Sequence, residues 1–74
     1  MSHRTKLQRS LVGLHELVSS SVDCLLEGKA NVERGEWDFA ATNLRKLFGN
    51  ATAIAKHRRI VLRDLRLARS EHLT

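Results

Sequence analysis

The sequence predicts an all-α protein, two long antiparallel helices forming a helical hairpin, and three observations carry the prediction. Apolar residues recur at alternating spacings of three and four along two stretches. One glycine-centred corner, Arg34-Gly35-Glu36, separates them. Proline is absent and Leu, Ala, Arg, Ser, Val and Glu dominate, so nothing forces a break inside either stretch. The 74 residues make a single domain, 1–74, with helix 1 expected over about 5–34, the turn at about 34–36 and helix 2 over about 37–71.

In the first stretch Leu7, Leu11, Leu14, Val18, Ser21, Leu25, Gly28 and Val32 keep the three-four spacing, and Thr5 is positioned to cap the start. Leu17, Val22 and Leu26 widen the stripe beyond what one neighbouring helix covers. Ser19, Ser20 and Ser21 read as a small-residue patch that lets a second helix come close, since a serine nucleophile needs a positioned base. His15 has no companion at a metal-ligand spacing, so no metal is expected. Cys24 has no cation one turn away to activate it and reads as a small buried hydrophobe.

At the corner, Gly35 supplies the left-handed conformation that ends a helix, and Glu36 and Asp38 place negative charge at the next N-terminus. Trp37 is expected to aim at the inside of the bend. Gly28, Gly35, Trp37, Ala40 and Leu44 together resemble the centre of a tetratricopeptide repeat. That resemblance implies a close-packed helical hairpin that binds other protein. Asn31 departs from it, standing where the repeat has an aromatic, and no second copy follows at the repeat's period. The RGEWD turn followed by a long leucine-periodic helix also looks like small flagellar and type III export chaperones, which are often acidic where this chain is basic.

The second stretch carries the stronger pattern: Trp37, Ala40, Leu44, Leu47, Ala51, Ile54, Arg58, Val61, Leu65 and Ala68. The spacing passes through Gly49-Asn50 without a phase shift, which predicts a continuous or mildly bent helix. Ala41, Phe48, Ala55 and Leu62 form a second stripe beside the first, and one partner helix cannot cover both. A homodimer closing a four-helix bundle would bury the surplus, as would a helical protein partner, which makes Trp37, Phe48, Ala55 and Leu62 the candidate protein-binding residues. Arg58 interrupts the main stripe and calls for a carboxylate, for which antiparallel pairing nominates Glu16.

Charge is distributed unevenly. Of the net +5, residues 45–69 contribute eight Lys or Arg against Asp64 alone. Lys56, Arg59, Arg63 and Arg66 fall on one ridge, a possible nucleic-acid-binding surface, although no aromatic interleaves them for base stacking. No phosphate-cradling loop, nucleophile elbow or zinc signature occurs, and a two-helix chain has little room for a substrate cavity. The expectation is a non-enzymatic interaction module, adaptor or chaperone-like, with no cofactor, no small-molecule substrate and no membrane contact; a nucleic-acid-binding regulator is the alternative. A lone cysteine and the lack of a long apolar run point to the cytoplasm.

Overall fold

The computed structural model describes residues 2–73 and consists of two helices, α1 (His3–Glu33) and α2 (Trp37–Leu73), packed against each other along their length. No strand is present among the described residues. The hairpin is a rod of 57 × 16 × 15 Å. At ~1.5 Å per residue, that is the length of α2 itself.

α1 begins earlier than Thr5. Ser2, in extended conformation, is the N-cap, and its hydroxyl accepts a hydrogen bond from the Thr5 backbone N–H at 3.1 Å. Thr5 is the residue that receives the cap, because Ser2 stands at the spacing from which a hydroxyl reaches the third helical N–H.

The corner is a glycine-terminated helix end. Gly35 has φ +72°, its N–H donates to the Val32 carbonyl at 3.1 Å, and the Glu36 N–H donates to the Asn31 carbonyl at 2.8 Å. These two bonds satisfy carbonyls that the last turn would otherwise leave open. The Glu36 side chain folds back to accept from the Arg34 guanidinium, with the Asn31 amide 3.5 Å away. Arg34, more than Asn31, holds the Glu36 carboxyl below its usual pKa. The Glu36 carbonyl accepts from Ala40 N–H at 3.0 Å and starts α2, which runs through Gly49 without interruption.

The most deeply buried positions of the seam between the helices are small or polar, flanked by half-buried Leu7, Leu14, Leu47, Ile54 and Val61. α1 buries Ser21, Cys24, Gly28 and Asn31, and α2 buries Ala40 and Asp64. Gly28 permits the close approach: a Cβ there would sit 3.3 Å from Leu44 Cδ2. Asn43 donates to Asn31 Oδ1 at 2.8 Å across the seam, and Asn50 donates to Ser20 Oγ at 3.1 Å. Ser21 satisfies its hydroxyl on the Leu17 carbonyl of its own helix at 2.7 Å.

The seam corrects the expected role of α2's main stripe. Half of it, the row Ala40, Leu47, Ile54, Val61 and Ala68, does face α1. The other half does not: Trp37, Ala51, Arg58 and Leu65 are exposed, and the row Asn43, Asn50, His57 and Asp64 takes their place. Trp37, two-thirds exposed at 66 %, therefore points away from the inside of the bend. Arg58 forms no ion pair with Glu16. Arg58 lines a hollow with Leu14, within the expected register, but Glu16 points away from that hollow and both side chains are exposed.

Candidate protein-binding face

Most exposed large apolar residues fall in rows on one side of the hairpin, with Val12, Leu26, Phe39 and Ile60 outside them. On α1, Leu11, Val18, Leu25 and Val32 each lie four residues beyond a member of the seam row Leu7, Leu14, Ser21 and Gly28. On α2, exposed Ala51, Arg58 and Leu65 each lie four residues beyond the seam row Leu47, Ile54 and Val61, while Leu44, at the same offset from Ala40, is half-buried beside Gly28. Reversing a helix reverses its sense of rotation, and the two helices also face each other. The same four-residue offset therefore lands on the same side of the hairpin in both.

A further step of four adds Val22 on α1 and Phe48, Ala55 and Leu62 on α2. The four predicted protein-binding residues, Trp37, Phe48, Ala55 and Leu62, are thus all exposed on one face. The hollow lined by Leu14, Ile54, Ala55, Arg58, Val61 and Leu62 marks the groove between the helices on this side. The Ser20–Asn50 hydrogen bond marks the opposite side, where α1 presents Lys6, Gly13 and Glu27.

This face is larger than the single scattered apolar residues normal on a soluble surface. Phe48 is 66 % exposed and Leu62 51 %. Trp37 and Phe48 alone leave on the order of 200–300 Å² of ring in water. Sequence periodicity places Leu11, Val18, Leu25 and Val32 in the inner stripe of α1, and the structure turns them outward instead.

The basic ridge is also exposed. Lys56, Arg59, Arg63 and Arg66 all reach solvent, and Arg59, Arg63 and Arg66 meet Arg58 around Ala55, Ile60 and Leu62 in a shallow depression that excludes Lys56. Arg63 is partly engaged: its guanidinium lies 3.5 Å from the carboxylate of buried Asp64. Along this stretch basic and apolar side chains share one surface.

Among the described residues no three His, Cys, Asp or Glu side chains gather in a way that would hold a metal ion, and no helix is long and apolar enough to cross a membrane. Cys24 lies buried in the seam with a free thiol. Comparison with protein-family models, with curated proteins and with solved structures finds no match to this chain.

Proposed function

We propose that this hairpin is a non-enzymatic protein-protein interaction module that binds a helical partner on its apolar face, in the manner of an adaptor or a chaperone. One observation carries the reading: exposed apolar rows of both helices, Leu11, Val18, Leu25 and Val32 on α1 and Phe48, Leu62 and Leu65 on α2, share a side of the hairpin, while Val12, Leu26, Phe39 and Ile60 are exposed outside it. A hairpin whose purpose were only to fold would turn Leu25, Phe48 and Leu65 inward. The occupant is a helix supplied by a second copy, closing a four-helix bundle, or by another protein. The resemblance to a tetratricopeptide unit supports the same kind of function.

The arginine-lined depression favours a second reading, a regulator that contacts nucleic acid through Arg59, Arg63 and Arg66. Capture from lysate with and without nuclease separates the two. The proposal expects capture that survives nuclease and is lost in Phe48→Asp and Leu62→Asp. Capture abolished by nuclease and by Arg59→Ala with Arg66→Ala would replace it with the second reading.

A further inference from the structure

We propose that the occupant of this face is an acidic amphipathic helix from another protein, an inference that rests on the face being a helix-binding surface. The argument is charge. None of the chain's eight Asp and Glu residues lies in the rows that make up the face. Asp23 and Glu27 stand on the other side of α1, Glu16 lines a hollow with Leu11 at the outer edge of the face, and Glu36, Asp64 and Glu71 follow α2's polar seam row. The charges within the face are all cationic: Arg4 and Lys29 on α1, and Arg58 and Arg69 on α2. Arg59 and Arg66 line the same depression as Arg58 and Leu62, in a row whose one carboxylate, Asp38, lies at the far, corner end of α2.

A second copy docked face to face meets this surface with the same cations and no carboxylate. Arg58 lies near the middle of α2, so a two-fold axis through the face would bring it close to its own image and desolvate a guanidinium with no counter-charge. An acidic helix solves both problems together. Its apolar stripe covers Leu11, Val18, Phe48 and Leu62, and its flanking carboxylates reach Lys29, Arg58 and Arg69. Ala51 and Ala55 keep the middle of α2's share shallow, which lets a helix ridge approach as a flat bilayer would not.

Trp37, the only tryptophan, lies on this face and reports its occupancy. The probe is a synthetic helical peptide of about four heptads, free of Trp and Tyr, with Leu at the core positions and Glu at every flanking position. The comparison peptide carries Lys in place of Glu. The Glu peptide is expected to shift Trp37 emission to shorter wavelength in a saturable, salt-sensitive way, at least about tenfold tighter than the Lys peptide, equivalent to about 1.4 kcal/mol. Arg58→Glu combined with Lys29→Glu is expected to reverse that preference.

Equal binding of both peptides would overturn the acidic partner and leave a helix-binding face intact. So would a homodimer in sedimentation equilibrium that Leu62→Asp dissociates. Emission that responds to anionic vesicles or to RNA but not to the Glu peptide would also overturn the acidic helix. If Trp37 emission stays that of exposed indole with both peptides and at every protein concentration, the helix-binding reading itself fails.

Discussion

The seam and the outer face of this hairpin divide its apolar rows between them, and the seam adds a polar row that a simple helix pair would leave in solvent. The fully buried seam positions are Ser21, Cys24, Gly28, Asn31, Ala40 and Asp64, the last at 3 % exposure, flanked by half-buried Leu14, Leu47, Ile54 and Val61, while Leu65, the chain neighbour of Asp64, is 51 % exposed. Apolar burial inside one hairpin is therefore modest, and hydrogen bonding and close approach fix how the helices meet. The outer face holds the apolar surface that a larger assembly would bury. The difference teaches that the seam sets shape and register, and the face is where association free energy is available.

The largest break is expected at Gly28. Because a Cβ there already meets Leu44, Gly28→Leu forces the helices apart and costs about 3 kcal/mol. For so small a domain that is most of the available stability, and thermal melting by circular dichroism should show loss of cooperative unfolding. Next comes the polar pair: Asn43→Leu leaves Asn31 Oδ1 without its donor and costs about 1–2 kcal/mol. The double variant with Asn31→Leu should recover much of that while loosening register, and a double-mutant cycle in urea measures both.

On the outside the sign changes. Gly49 is exposed with nothing within 4 Å of an added Cβ, so Gly49→Ala should stabilise the hairpin by about 0.5–1 kcal/mol.

The smallest effect belongs to the corner. Arg34 lowers the Glu36 pKa from the ordinary 4.5, so this contact's contribution is present above that value and is lost as pH falls through the depressed one. An NMR titration of the Glu36 carboxyl should show the low value, and Arg34→Ala should return it toward normal.

Much of this architecture is legible in the sequence. Gly35 and its acidic neighbours mark the turn, the unbroken phase across Gly49 marks one continuous α2, and a second stripe through Phe48, Ala55 and Leu62 marks surplus apolar surface. What periodicity does not reveal is which neighbour a row faces. Trp37, Ala51 and Leu65 read as the inner stripe because apolar rows normally pack against the nearest helix. Here Gly28 and Ala40 allow the closest approach, and the Asn31–Asn43 pair can be satisfied only between the helices, so the contact line rotates to the polar row. Arg58 follows the same rotation, which is why it is solvated and Glu16 is not its partner.

Whether α2 turns the polar row ending in Asp64 to α1 and the row Ala51, Arg58 and Leu65 outward can be read at two adjacent positions. With Cys24→Ser removing the native thiol, single cysteines are placed by Asp64→Cys and by Leu65→Cys. Their rates of modification by a soluble thiol reagent are compared at low protein concentration. The account predicts that the thiol at 65 reacts as a free cysteine and the one at 64 at least about tenfold more slowly, gated by opening of the hairpin. A protected thiol at 65 beside a freely reactive one at 64 would contradict it.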